Sequence, residues 1–358
     1  KLAKQSARAL AKSFVLNGNV RVRPKSWELT DARVRLADAS AEGAIGYNWS
    51  ARPALVATID ADKLALENFG DDLLAPKHIA AYLGLPMTQG RQPAKENAAS
   101  KWLRDVDIAL RLRSGHISDG RNSFAEVDID LRRTADTLNL AKFDLVWQPG
   151  LKLSLASKLI GLRQRISGNA TGTVAAANDA AGARLADLLS LAARGKVPAQ
   201  LIAGRTPLRV AIDAKLGVTD GAAKTAAPVN QLVADGTIGE DRVRIDARTF
   251  GPLGNWRAQP ADVQARINGR DALTTTGWLI GKPMIARRPA TPAPSVVRSA
   301  ASPATIVMTL AGTPEKKMKT FVRIAAGKSL DADFSGDMAL ASGGMDWSGF
   351  IDIRQTTA

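Results

Sequence analysis

Asp105–Arg113 (DVDIALRLR), Phe124–Arg133 (FAEVDIDLRR), Thr137–Trp147 (TLNLAKFDLVW) and Leu151–Leu159 (LKLSLASKL) follow one another with a common habit. Apolar residues recur at every second position. In the first stretch Val106, Ile108, Leu110 and Leu112 are separated by Asp107, Ala109 and Arg111. In the second, Val127, Ile129 and Leu131 alternate with Asp128, Asp130 and Arg132. Successive side chains of a strand point to opposite faces, so this period gathers the apolar groups on one sheet face and the charges on the other. Ser114-Gly115, Asp119-Gly120 and Pro149-Gly150 supply turn residues between the stretches. Short connections join antiparallel neighbours, which predicts a meander and not a parallel α/β sheet. A turn that pairs Arg113 with Phe124 would set Arg111 opposite Glu126 and Asp105 opposite Arg132. Cross-strand ion pairs then explain the acidic residues better than acid–base chemistry does.

The same reading extends in both directions. Val20 and Val22 alternate with Arg21 and Arg23, and Val34 and Leu36 with Arg33 and Arg35. Ile45, Tyr47 and Trp49, then Leu55, Ala57 and Ile59, continue the pattern, which resumes at Leu64 and Leu66. Lys1–Ser13 and Leu73–Leu83 read as short helices. The first carries Lys1, Lys4, Arg8 and Lys12, read as the solvated side of a packed helix or as a contact with an acidic membrane surface. Downstream, Asn178 or Asp179 is placed to cap a helix that buries Leu185, Leu188, Leu189 and Ala192 and ends at Gly195. Leu208, Val210, Ile212, Ala214 and Leu216 alternate most cleanly of all. Further strands are expected at Arg242–Arg248, Asp262–Asn268, Gly277–Ile280, Ile306–Leu310, around Val322 and Ile324, and from Leu330 to Ile353. About twenty strand-like segments result, loosely recurring and without a fixed period.

Five regions follow from this pattern. Residues 1–101 form a first β-region with short helices, 102–205 the central meander with the Leu/Ala helix, and 206–281 further antiparallel strands. Residues 282–305 form a linker, because Pro283, Pro289, Pro292, Pro294 and Pro303 cannot donate to a ladder. Residues 306–358 hold terminal strands. With no initiator Met, signal peptide or apolar run long enough to span a bilayer, the chain reads as a piece of a larger protein.

The 358 residues include 49 Lys and Arg against 34 Asp and Glu, a formal charge of +15, so the surface favours anionic partners such as nucleic acid or acidic headgroups. The absence of cysteine excludes disulfides and thiolate metal sites. His78 and His116 belong to different segments, no G-x-S-x-G seats a nucleophile, and Gly327-Lys328-Ser329 lacks the first glycine of a phosphate loop, replaced by Val322. The expectation is a protein that is not an enzyme and has no cofactor and no metal. Nucleic-acid binding is also not expected: Arg21, Arg23, Arg33, Arg35, Arg242, Arg244 and Arg248 are spread along strands. Arg287-Arg288 and Lys316-Lys317 are adjacent, but with no aromatic beside them to stack a base.

Three phrases together resemble the AsmA-like family of bacterial envelope proteins, to which AsmA, TamB and YhdP belong. They are GNVRVRPKSWELTDARVRLADASAEGAIGY at Gly18–Tyr47, DVDIALRLRSGHISDGRNSFAEVDIDLRR at Asp105–Arg133, and ATGTVAAANDAAGARLADLLSLAARG at Ala170–Gly195 followed by TPLRVAIDAKL. The likeness covers the chain to about Gly281 and includes no catalytic motif. It implies an elongated, curved antiparallel β-sheet that shelters a hydrophobic groove, facing the periplasm and anchored to the inner membrane through a segment missing from this chain. It also implies carriage of phospholipid between the two membranes, support of outer-membrane assembly, and partners in the envelope.

The residues agree with that implication without requiring it. A sheet with one apolar face must cover it with helices, a second sheet, closure or a ligand. Two or three short helices cannot cover about twenty strands, which at roughly 4.8 Å each would span on the order of 95 Å. Acyl chains would bury the remainder at roughly 0.8 kcal/mol per methylene. The expected lining is Val106, Ile108, Leu110, Leu112, Val127, Ile129 and Leu131, with Leu208, Val210, Ile212, Ala214 and Leu216. The alternative is a structural sandwich whose two apolar faces bury each other, with no ligand.

Overall fold

The computed structural model describes residues 14–36, 39–66, 106–162, 165–193, 202, 204–218, 228–270, 275, 302–327, 330–341 and 344–355. Those residues are mainly β: seventeen strands, one α-helix and one short 3-10 helix, Leu253–Ala258. The proposed helices at Lys1–Ser13 and Leu73–Leu83, with His78, lie outside them, as do Gly277–Ile280 and most of the proline-rich stretch. The chain divides into two compact units, Lys1–Gly172 and Thr173–Ala358.

The first unit holds β1 (Phe14–Arg23), β2 (Ser26–Leu36), β3 (Ala39–Asn48), β4 (Ala54–Ala65), β5 (Asp107–Ser118), β6 (Ser123–Arg133), β7 (Thr137–Trp147) and β8 (Leu151–Ile160), with the start of β9 (Ser167–Ala176). From β1 to β8 each strand pairs with the next, antiparallel everywhere except between β4 and β5. That parallel junction departs from a pure meander. Residues 66–106 separate the two strands, and a connection of that length can return the chain to the end from which β4 started.

The β5–β6 hairpin differs from the sequence reading in register. Arg113 pairs with Asp128 and not with Phe124, Arg111 with Asp130, and β5 runs on to Ser118. Ser114-Gly115 is therefore strand, as is His116, whose Nε2 lies 3.4 Å from Ser123 Oγ across the hairpin. The turn is Asp119–Asn122, where the buried Asp119 carboxylate accepts the backbone N–H groups of Arg121 and Asn122 at 3.1 and 2.7 Å. An aspartate that satisfies its own turn outcompetes the Ser-Gly pair. The displacement is an even number of residues, so each side chain stays on its expected face.

Ile117 pairs with Phe124, Phe124 with Trp147, and Trp147 with Leu151. All four are buried, and the two ring centroids are 5.4 Å apart. Glu126, at φ 51°, forms a bulge that sets this row beside Val127 and Leu145. Close approach elsewhere depends on Gly43, where a Cβ would sit 1.9 Å from the Thr58 carbonyl oxygen at a φ of 155°. Gly43→Ala should destabilise the protein by about 1–3 kcal/mol, read from the denaturant midpoint.

The second unit contains β10 (Leu208–Val218), β11 (Val229–Ile238), β12 (Asp241–Phe250), β13 (Ala261–Gly269), β14 (Ala304–Thr313), β15 (Lys317–Ala326), β16 (Leu330–Ala341) and β17 (Gly344–Gln355). All adjacent pairs are antiparallel, and from β11 to β17 the register never shifts. Strand β11 has no counterpart in the sequence reading, because Asn230 and Gly236 interrupt the apolar residues on its inward side.

The helix, α1 (Asp179–Ala193), lies where the Leu/Ala stretch predicts it. Asn178 is the cap: its Oδ1 accepts the Ala181 N–H at 2.9 Å. Asp179 instead accepts Thr206 Oγ1–H at 2.6 Å and the Gly204 N–H at 3.0 Å, and these bonds hold its carboxyl below the usual range. Ala181 and Ala186 are fully buried and Leu185 and Leu188 half-buried, but Leu189 is exposed, contrary to expectation. Small residues bring the helix close, and its longer Leu189 falls off the packed side.

Candidate binding face

The register assembles the predicted apolar residues into rows that cross the strands. In the first unit Leu110 pairs with Ala57 of β4 and Leu131 of β6, and Leu131 with Leu140 of β7. The next row runs Ile59, Leu112, Ile129, Phe143 and Leu155. Val127 lies opposite Ser114, so serine stands in that row where the pattern gave no apolar residue. Ile108 lies between Leu55 and Arg133, and Arg133 is buried on the apolar side. Val127 and Leu131 are buried, whereas Ile108, Leu110, Leu112 and Ile129 are half-buried. Val106 immediately precedes β5 and is buried.

The rows of the second unit are longer and purer. Val210, Gly236, Val243, Ile267, Ile306, Ile324 and Ala332 stand side by side from β10 to β16. Parallel to them run Ile212, Ala234, Ile245, Ala265, Met308, Val322 and Phe334. Leu208 is buried opposite Ile238, and Ala214 lies opposite Leu232. Val210, Ile212, Ala214 and Leu216 are half-buried, while Arg209, Ala211, Asp213 and Lys215 between them are exposed. Cover is uneven along this face. Val243, Ile267, Ile306 and Val322 are buried in the middle, with Ile245, Met308 and Phe334 packed against them. All twelve predicted residues therefore sit on, or immediately beside, strands with the expected side turned inward, in two separate groups of seven and five.

The opposite face is charged and carries cross-strand ion pairs. Asp128 takes Lys142 at 2.6 Å and Arg113 at 3.7 Å. Asp235 takes Arg244 at 3.2 Å, Asp337 takes Lys317 at 2.7 Å and Lys319 at 3.1 Å, and Arg323 takes Asp331 at 2.5 Å. In the β5–β6 hairpin the sequence placed Asp128 on this face, but Arg111 stands opposite Asp130 and not Glu126, since the expected register was displaced. Hydrogen bonding from Lys142, opposed by partial burial, holds the Asp128 carboxyl below the ordinary 3.8. Lys142→Met should return it upward, seen in an NMR titration of the carboxyl. Because the folded value is the depressed one, the pair stabilises above the unfolded value and its contribution fades as pH falls through the folded value. A pair this exposed to solvent contributes little to stability.

Three hollows of about 500, 640 and 230 Å³ are lined largely by the charged side, and include none of the twelve apolar residues. Among the described residues no cluster of three or more His, Asp and Glu is gathered to hold a metal, and no helix is long and apolar enough to cross a membrane. In comparisons with family models, curated proteins and solved structures, nothing matches this chain.

Proposed function

We propose that the protein is an AsmA-like envelope protein whose apolar sheet face holds phospholipid acyl chains, conducting lipid between inner and outer membrane in support of outer-membrane assembly. The observation that carries this reading is that each unit presents aliphatic rows left half-covered, at Ile108, Leu110 and Leu112 in the first and at Val210, Ile212 and Leu216 in the second. The AsmA-like phrasing of the sequence supports it and supplies the placement: the periplasm, anchored to the inner membrane through a segment outside this chain, with envelope proteins as partners. Acyl chains on these rows need no polar recognition, since each buried methylene is worth roughly 0.8 kcal/mol. Against a nucleic-acid reading stand the ion pairs interleaved along the charged side of the strands.

A second reading, a structural β-protein without ligand, is favoured locally by the burial of Val243, Ile267, Ile306 and Val322. Mass spectrometry of organic extracts from the purified chain separates the two. Copurifying phospholipid in stoichiometric amount is expected, and a lipid-free extract would favour the structural reading.

A further inference from the structure

On the charged side of the second unit two arginines stand directly opposite each other. Arg244 of β12 pairs in register with Arg266 of β13, and both are exposed. Opposed residues lie about 4.5–5.5 Å apart at Cβ, where like charges repel and weaken the pairing. By contrast, Lys319 faces Asp337 and Arg323 faces Asp333 across β15 and β16. Two further arginines flank the pair. Arg242 stands opposite Thr237 and Asn268, and Arg209 of β10 stands opposite Thr237 from the other side. Among the described residues Asp235 is the one carboxylate at ion-pair distance from this group, 3.2 Å from Arg244 and 3.7 Å from Arg242. Glu240 and Asp246 nearby are taken by Arg270 at 2.9 Å and by Arg248 at 4.0 Å. Four guanidinium groups therefore share a single carboxylate.

The local hydrogen bonds leave this arrangement open to an oxyanion. Arg266 Nε donates to Asn268 Oδ1 at 3.3 Å, and Thr305 Oγ1–H donates to the same oxygen at 3.2 Å. Asn268 thus holds the guanidinium by its inner nitrogen and leaves the two terminal NH2 groups for a ligand. Asp235 holds Arg244 through Nη1, which leaves Nη2 on the other side. An anion between the two forks accepts from both and removes their repulsion. Beyond Arg266 in the same row stands Val307, 36% exposed, and then Arg323. An apolar group among arginines fits the boundary between headgroups and acyl chains. Among the described residues no aromatic ring stands opposite any of the four arginines, so bases would find no stacking platform. We propose that this face of β10–β13 docks on an anionic phospholipid surface, with one headgroup phosphate clasped between Arg244 and Arg266. Arg209 and Arg242 add attraction to neighbouring headgroups. The contact uses the side turned away from the acyl rows, so it stands or falls independently of lipid carriage.

Cosedimentation with vesicles of phosphatidylglycerol and phosphatidylcholine tests this, beside vesicles of phosphatidylcholine alone. The chain should bind the mixed vesicles and lose most of that binding as salt rises from about 0.05 to 0.3 M. Arg244→Gln combined with Arg266→Gln should weaken binding about tenfold, since each arginine near such a surface contributes separately. Lys317→Gln combined with Lys319→Gln removes the same charge from cations already held by Asp337. That pair should weaken binding by less than about threefold. The arginine variant relieves a like-charge contact and should melt close to the parent, which separates loss of the site from loss of the fold. Arg266→Lys keeps the charge but loses the fork, and should weaken binding about threefold. Equal losses from the two glutamine pairs would mean that net charge alone attracts the vesicles, and would overturn the proposal. Parent-like binding by Arg266→Lys would overturn the clasp. So would equal binding to phosphatidylcholine alone, or full release by inorganic phosphate at matched ionic strength, which would assign the site to free phosphate. Tighter binding to a single-stranded oligonucleotide than to the mixed vesicles would make this face a nucleic-acid surface instead.

Discussion

Ile306→Asp should abolish cooperative unfolding of the second unit. Ile306 is 1% exposed and stands between Ile267 and Ile324, with Val243 and Val322 in the same cluster. A carboxylate there meets no cation, since every neighbour across the strands is aliphatic. Burying an unpaired charge costs several kcal/mol even when the group protonates, against a total stability of roughly 5–15 kcal/mol. Circular dichroism and thermal melting should show loss of the transition. Ile306→Val should shift it only slightly, by about 0.5–1.5 kcal/mol. A variant that melts like the parent would mean that water already reaches the middle of the face.

Ile212→Asp should behave in the opposite way, although it changes the same residue type on the same face. Ile212 is half-buried on β10, with Ala234 as its paired neighbour, so an added carboxylate can turn toward water. The protein should fold and melt near the parent temperature. Photo-crosslinking of phospholipid, measured beside the melt, should fall at least tenfold. Leu110→Asp tests the first unit in the same way, with a larger expected loss of stability because Ala57 and Leu131 on either side are buried. Unfolding of both variants, with no lipid crosslinked to the parent, would decide for a sealed structural core. The contrast between positions 306 and 212 is the informative quantity, since a uniformly dry core or a uniformly wet face would treat them alike.

Much of this architecture was legible in the chain because alternation is a local signal. Leu208 to Leu216 shows its inward residues without knowledge of any partner strand. Asn178 likewise announces the start of α1 through one side-chain oxygen. What escaped was set by partners distant in sequence. The Asp119 turn won over Ser114-Gly115 because its carboxylate is satisfied within the loop, and that displaced every ion pair predicted for the hairpin. The parallel junction of β4 and β5 depends on where the intervening chain goes, which no periodicity reveals. Strand β11 was overlooked because Gly236 and Asn230 stand at inward positions where an aliphatic residue was sought. The buried Trp147 row went unrecognised because the bulge at Glu126 breaks the period of two at the place where the row forms. The twelve inward residues could be named from sequence. Their uneven cover could not, because burial depends on what lies above the face.

The unbroken register from β11 to β17 also limits how this chain can change by insertion and deletion. The inward cross-strand rows are apolar, so losing a single residue inside β13 would carry Asp262, Gln264 and Arg266 into the places of Val263, Ala265 and Ile267. Both neighbouring strands would then meet charges along their aliphatic rows at once. Adding or removing two residues would leave the sides unchanged and merely slide one row past the next, Ile267 taking the place of Ala265. Length variation in descendants of this sequence should therefore occur in pairs within strands and freely only in the loops.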